Sequence, residues 1–341
     1  MNQELESHRI GALDGLRAIS VALVIFAHLS QNLNIGMLAK YGNLGVSIFF
    51  FISGYVICLN MVKEESERDT FSVAAFFARR CFRILPPLIL YVATVRVLEY
   101  LGFTPTTLTG YLGALTFSCN LRFVICDWFM GHTWSLAFEE QFYLVFPILC
   151  VLANGSSRIK MFVFLLGICL LAGFGQYIVR VANSWINPGH YYSLLCLGVL
   201  VALNNTKVLR QLRRYSKITF YISSAWLFLY FQLPPNGLLI ATHLLFTPLC
   251  IAVIVLSPIA FPDAWFATVL RIRPVRFLGR ISYGVYLWQQ LFLADRSIYS
   301  GFDLSTVWIL LFVPVLLSYY VVERPALMYG KRLSARLQQS N

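Results

Sequence analysis

Residues 11–33 read GALDGLRAISVALVIFAHLSQNL, an apolar run interrupted by two ionisable side chains of particular interest, Arg17 and His28. As a helix, the run is long enough to cross a hydrocarbon layer of ~30 Å. Eleven helical steps of about 100° make three full turns plus about 20°, so Arg17 and His28 share one face, about 16 Å apart along the axis. An arginine inside a membrane helix costs about 2.5–3.5 kcal/mol on insertion scales, so it faces a cavity or a partner rather than lipid. One stripe of one membrane helix thus carries a fixed cation and, deeper, a group that exchanges protons near neutral pH. A lone histidine in an apolar helix is also compatible with a purely structural, hydrogen-bonded role. Its place on the Arg17 stripe is what points to function, because intramembrane charges mark functional pathways.

The rest of the chain repeats the apolar pattern. Of 341 residues, 58% are hydrophobic and 12% charged, against roughly 25% charged in a soluble domain. Stretches at about 11–33, 43–62, 84–102, 135–153, 161–180, 190–203, 216–233, 237–258, 279–297 and 303–322 are expected to span a membrane. The fold class is therefore all-α, a polytopic helical bundle of about ten transmembrane helices with the lipid bilayer as its surroundings. Residues 1–341 read as a single membrane domain, with its core at about 10–327 and a short basic cytoplasmic tail at 328–341. The N-terminal MNQELESHRI lacks the basic n-region and small-residue cleavage site of a signal peptide. The net charge of +12 follows from Lys and Arg crowding the cytoplasmic loops, and no nucleic-acid partner is expected.

Charge also decides an eleventh apolar stretch, 108–119. If it does not cross and the N-terminus lies inside, 21 of the 27 cations fall on the inner side. They include Arg79, Arg80 and Arg83, the 207–217 cluster and the 271–280 cluster. Lys40, Arg122, Arg180 and Arg296 fall outside. A crossing at 108–119 would carry the later cations outward, against the positive-inside rule. Twelve helical residues also cover only about 18 Å. Both termini are therefore expected in the cytoplasm, and 103–134 as an outer loop holding a re-entrant or surface helix. The eight cysteines show no metal-ligand spacing, and no metal is expected. Cys119 and Cys126 fall in the outer loop, where a disulfide and two free thiols are both open readings.

Three further segments carry candidate chemistry. GHTWSLAFEEQFYLVFP, 131–147, holds Glu139 and Glu140, which point about 100° apart on a helix, so at most one shares a narrow site with His28. A carboxylate beside a histidine orients its ring and raises its basicity; the competing reading places both at a helix head, where anions suit the dipole. His132 and Trp134 read either as contributors to a substrate surface or as interfacial anchors. FFARRCFRILPP, 76–87, sets Arg79, Arg80 and Arg83 within about one turn, before a Pro-Pro expected to open the third span. Guanidinium forks match phosphate oxygens, although inner-side arginines also serve topology and lipid headgroups. In GVSIFFFISGY, 45–55, Ser53-Gly54 either opens a small polar gap, making Ser53 a candidate cofactor contact, or lets a neighbouring backbone approach.

The ordered set LDGLRAISVALVIFAH, FFFISGY, RRCFRILPP, HTWSLAFEEQFY, GRISYGVYLW and VVERP resembles acyltransferase family 3, the membrane O-acyltransferases of bacterial surface and exported glycans. The likeness runs over about residues 10–327. It implies about ten spans and transfer of an acyl group, usually acetyl, from cytoplasmic acyl-coenzyme A to a sugar hydroxyl. Implied acceptors include O-antigen, exopolysaccharide and lipid-linked glycans, and the implied location is the bacterial inner membrane. The resemblance places Arg17 and His28 on the family's Arg–His pair, Arg80 and Arg83 on its inner arginine cluster, and Glu139 on the carboxylate of WSLxxE. Ser282, Tyr283 and Tyr286 fit the late SYxxYL motif, and Glu323 with Pro325 the closing ExP. Many members have His after YLW; this chain has Gln289, whose amide hydrogen-bonds but takes no proton at neutral pH.

The expected catalytic set is His28 as general base or acyl carrier, Glu139 as its orienting partner, and Arg17 steering the donor or stabilising an oxyanion. Arg79, Arg80, Arg83 and Ser53 are the expected acetyl-CoA contacts, and Trp134, Glu140, Tyr283 and Tyr286 the expected glycan contacts. The competing class is a secondary transporter or flippase with a proton-coupled His–Glu pair. It would call for inverted repeats with matching broken helices, and the sequence displays none.

Overall fold

The computed structural model describes residues 2–32, 40–121, 123–153, 155–178, 187–232, 237–294 and 310–339. The elements in chain order are α1 (Asn2–Asn32), α2 (Tyr41–Arg68), α3 (Val73–Tyr100), α4 (Leu108–Leu115), α5 (Trp128–Gly131), α6 (Trp134–Leu152), α7 (Gly155–Ile178), α8 (Pro188–Leu203), α9 (Asn205–Arg214), α10 (Ile218–Gln232), α11 (Gly237–Ala260), α12 (Trp265–Leu270), α13 (Arg273–Arg280), α14 (Ser282–Phe292), α15 (Phe312–Ser318), a π-helical turn at Tyr319–Glu323, and α16 (Arg324–Gln339). No strand occurs among the described residues.

Five segments are long and apolar enough to cross a membrane: Ile10–Ser30, Tyr41–Arg68, Val73–Tyr100, Trp128–Leu152 and Gly155–Gly175. They coincide with the first five expected spans. The pair α8 and α9 gives a sixth if counted as one bent span. The bend is 90° at Asn204, where the apolar α8 gives way to the basic α9 with Lys207, Arg210, Arg213 and Arg214. The expected spans at 216–233 and 237–258 appear as shorter apolar helices, Ile218–Tyr230 and Leu244–Ala260. Those at 279–297 and 303–322 are met only in part, by α14 and by the helix from Phe312, since 295–309 lie outside the described residues, as do Arg122 and Arg180. The fold is thus that of an all-helical membrane protein with five candidate spans among the described residues.

One expectation about local structure changes. Pro86-Pro87 does not open the third span. α3 begins at Val73, where Ser72 caps the helix by accepting the N–H of Ala75 at 3.3 Å, so Arg79, Arg80 and Arg83 sit on the body of that helix. The 108–119 stretch contains only the eight residues of α4, about 12 Å of helix. Tyr111 and Ala114 are buried there while Leu108 and Leu112 are exposed, as expected of a surface helix. Cys119 and Cys126 are joined by a disulfide.

The chain divides into two compact units. The first comprises residues 1–27, 36–69 and 149–280. In it α2 meets α8 through glycine. A Cβ on Gly54 would fall 2.2 Å from the carbonyl oxygen of Leu195, and one on Gly198 2.5 Å from that of Phe51. Such close approach is how membrane helices gain contact when apolar burial offers no gain over lipid. The same unit holds Arg158, whose guanidinium makes two bonds to Glu65, at 2.9 and 3.0 Å, and also donates to the carbonyls of Cys150 and Ala153. A charge-assisted fork thereby ties the start of α7 to the end of α2.

The second unit comprises residues 28–35, 70–148 and 281–341. Its frame is α3 against α16, with the Phe82 ring tilted against that of Tyr329 (centroids 4.9 Å apart) and Arg79 donating to Ser334. The 101–127 segment folds back onto it. Asp127 accepts from the N–H and hydroxyl of Thr107 (2.9 and 3.1 Å), and Asn120 and Gln141 exchange amide bonds (2.9 and 3.0 Å). Tyr111 donates to Glu99, and burial together with this bond pushes its phenol up to about 12.

Candidate active site

His28 belongs to the second unit, near the end of α1, where its ring meets the indole of Trp128 edge-on with centroids 5.6 Å apart. Trp128 is fixed from the far side by α14. Its indole N–H donates to the Gln290 carbonyl at 3.1 Å, and the Gln290 side chain returns a bond to the Trp128 carbonyl at 3.0 Å. This reciprocal clasp uses a side-chain donor and a backbone acceptor on each residue, which fixes both rotamers.

His132 stands four residues further on. Its ring lies 5.4 Å from that of Tyr91 and 5.6 Å from that of Tyr286, and it stands within electrostatic reach of His28. The Tyr286 hydroxyl donates to the His132 carbonyl at 2.8 Å and lies 2.7 Å from Ser135 Oγ. The Tyr91 hydroxyl donates to the Phe129 carbonyl at 2.7 Å, and its ring lies 5.7 Å from that of Trp288. The two imidazoles therefore lie among Trp128, Tyr91, Tyr286 and Trp288, of which Tyr91 and Tyr286 bond to the backbone of Phe129 and His132. Gln289 is fully buried, and neither end of its amide has a hydrogen-bond partner among the described residues.

The carboxylates lie about one and a half turns into α6, about 7.5–9 Å from its start. Glu139 accepts from Tyr143 at 3.5 Å, and its charge is felt at Tyr283 and Tyr286. Glu140 faces the charge of Arg80, whose guanidinium stacks 4.5 Å from the Tyr143 ring centroid. Arg83 is exposed, and its charge reaches Glu323 and Tyr283; Tyr283 in turn donates to the Ile84 carbonyl at 2.9 Å. The second unit thus brings together His28, Glu139, Glu140, Arg79, Arg80, Arg83, Trp134, Tyr283 and Tyr286. Within it, Tyr286 links the Glu139 charge to the His132 end. Trp134 is buried, and its described ring contact is with Phe138, one turn on.

Arg17 and Ser53 belong to the first unit. Arg17 pairs with Asp14 one turn earlier, at 3.5 Å, on the unbroken helix α1. Ser53 is half-buried beside Gly54, at the contact of α2 with α8. The three arginines also differ among themselves. Arg79 is engaged by α16, Arg80 by the faces of Phe76 and Tyr143, and Arg83 is the exposed one.

The model of the acyltransferase domain family, acyltransferase 3, matches residues 10–323. The chain belongs to this family. It is 27% identical over 316 residues to the peptidoglycan O-acetyltransferase OatA of Listeria monocytogenes, covering 82% of this chain and 48% of that protein. A putative peptidoglycan O-acetyltransferase of Bacillus subtilis, YrhL, is 26% identical over 372 residues, covering 98% of this chain and 58% of its own. A putative O-acetyltransferase of Staphylococcus aureus strain COL is 27% identical, with 82% and 50% covered. The chain spans about half the length of these curated relatives. No solved structure shows a significant match.

Trp128, Tyr91, Ser135 and Gln290 are contributors that the sequence reading did not single out. Gln289 and Gln290 do carry a signal, as adjacent amides within the otherwise apolar VYLWQQLFL, since polar groups in a membrane segment default to function. Trp128 carries none of its own; its role emerges only from the fold of the 103–127 segment.

Proposed function

We propose that this chain is an integral membrane O-acetyltransferase that moves an acetyl group from acetyl-CoA, reaching the cytoplasmic side, to a sugar hydroxyl of a cell-envelope glycan. The observation that carries the reading is the His28–Trp128–His132–Tyr286 cluster, in a chain of the acyltransferase 3 family. It supplies a base that a membrane span has no structural need for. His28 takes the proton of the sugar hydroxyl as its oxygen attacks the thioester carbonyl, a contribution typically of 10²–10⁴ in rate. Glu139 acts on the site through Tyr286 and, with His132, sets its charge balance. Arg83, and behind it Arg80, would receive the donor's phosphates, as guanidinium forks do, while Arg79 is engaged by Ser334.

Relatives named for peptidoglycan favour that polymer as acceptor over the O-antigen and exopolysaccharide that the sequence likeness equally allows. About ten spans, both termini cytoplasmic and an inner-membrane location complete the reading. The Cys119–Cys126 disulfide supports an outer position for residues 103–134, because disulfides persist in oxidising compartments. Reconstitution into liposomes with isotope-labelled acetyl-CoA tests it. Label transferred to added peptidoglycan fragments, but not to lipopolysaccharide, is expected. Transfer to lipopolysaccharide alone would overturn the acceptor, and no consumption of acetyl-CoA would overturn the donor.

A further inference from the structure

A buried amide with no partner at either end is costly, because each unsatisfied polar atom keeps its desolvation penalty without a compensating bond. Gln289 is such a residue, at 0% exposure. Its setting is well defined. On α14 the residues three before and one after it, Tyr286 and Gln290, bind the 128–135 segment at His132, Ser135 and Trp128. Positions 286, 289 and 290 fall within about 100° of arc on a helix, so Gln289 lies on that same face. Trp128, clasped by Gln290, is also the residue on which the His28 ring packs. Gln289 therefore belongs to the helix face that binds the segment carrying Trp128, on whose indole His28 packs. A position at 0% exposure is closed to a sugar ring, so the partner its amide lacks would be a group as small as an acyl carbonyl.

We infer that Gln289 is a catalytic residue of the acyl transfer, its side-chain N–H donating to the acyl oxygen as that oxygen becomes an anion. The inference rests on the acetyl-CoA reading above. The hydroxyl oxygen of the acceptor bonds to the acyl carbon while its proton passes to His28. The carbonyl π electrons move onto the acyl oxygen, where Gln289 Nε2–H meets them. Collapse restores the carbonyl, breaks the carbon–sulfur bond, and the departing thiolate takes the proton back from His28. A fixed donor in a dry site is worth more than one in water, because it needs no reorganisation as charge develops. A glutamine suits this task and no proton-transfer task, since its amide does not titrate near neutral pH.

The test compares the native full-length protein with Gln289→Met and Gln289→His, each reconstituted in liposomes. Thiol release from acetyl-CoA is followed with soluble peptidoglycan fragments as acceptor. Binding of CoA and of a trifluoromethyl ketone analogue of acetyl-CoA, whose hydrate resembles the tetrahedral intermediate, is measured alongside thermal unfolding. Met fills the volume without the amide, so kcat should fall about 10²–10³-fold, as on removal of an oxyanion donor. KM for acetyl-CoA and CoA affinity should stay within about threefold of native, since only transition-state binding is lost. The ketone analogue should lose its extra affinity, and Tm should hold or rise because an unsatisfied amide has gone. His retains an N–H donor and should keep kcat within about tenfold. A Met variant with native kcat overturns the inference. So does a Met variant whose Tm falls with its activity, or one that loses CoA and ketone binding equally, since either assigns Gln289 to structure or to ground-state donor binding. Native protein that neither binds nor cleaves acetyl-CoA would instead refute the donor reading itself.

Discussion

Replacing Trp128 by Phe keeps an aromatic ring against His28 and removes one hydrogen bond, from the indole N–H to the Gln290 carbonyl at 3.1 Å. The return bond from the Gln290 side chain ends on the Trp128 backbone, so it survives the substitution. The loss in stability should be that of one neutral hydrogen bond, about 0.5–1.5 kcal/mol. Trp128 is only half-buried, which keeps the cavity contribution small. The effect on activity should be larger than the effect on stability. Displacing a catalytic group by about 1 Å can cost 10²-fold, and the clasp is what holds the indole that backs His28. Gln290→Leu breaks the return bond and should do the same. The double variant should lose less than the sum of the two, because both singles loosen one clasp. Acetyl transfer at saturating acetyl-CoA, measured beside thermal unfolding of the same preparations, separates the two effects. Trp128→Phe with native kcat, or a kcat loss no greater than the unfolded fraction explains, would show that the clasp does not position His28.

Arg83→Ala should weaken acetyl-CoA binding more than Arg83→Lys, since Lys keeps charge but loses the fork. Arg79→Ala should act mainly on stability because Arg79 is bound to Ser334; equal donor affinity in native, Ala and Lys at 83 would return the cluster to topology. Gly54→Ala places a methyl 2.2 Å from the Leu195 carbonyl and should destabilise by at least the 1–3 kcal/mol typical of overpacking; an unchanged Tm would mean that α2 and α8 do not meet this closely. A membrane-impermeant maleimide should label Cys119 and Cys126 in intact spheroplasts only after reduction, whereas labelling only after membrane rupture would place 103–134 inside.

The legible part of the molecule was the part dictated by chemistry along one helix. Apolar runs of full span length overlap the five candidate spans, and Arg17 and His28 lie on one continuous α1. Glycine beside Ser53 foretold a close backbone contact, and α4 was too short to cross. Pro86-Pro87 misled, because a proline pair suggests a helix start while the better cap, Ser72, lies further upstream. The site itself was legible only in fragments. His28 and the carboxylates stand out as ionisable groups in apolar surroundings. Trp128 and Tyr91 do not, because an aromatic in a membrane protein is usually packing or an interfacial anchor. Their role depends on a fold-back of 101–127 that is held by Asp127, Asn120 and a disulfide, and pairings across such distances leave no local periodicity to read.

The central claim is that His28 handles the proton in acyl transfer to an envelope glycan. It is tested most directly by mass spectrometry of ester-linked acetyl groups on envelope glycans from cells lacking the gene and complemented with native or His28→Gln protein at equal membrane levels. Glutamine keeps polarity and hydrogen bonding but accepts no proton near neutral pH. Native protein should restore the acetyl esters and His28→Gln protein should not. Restoration of near-native acetylation by His28→Gln would contradict the claim, and the proton would then have to go elsewhere.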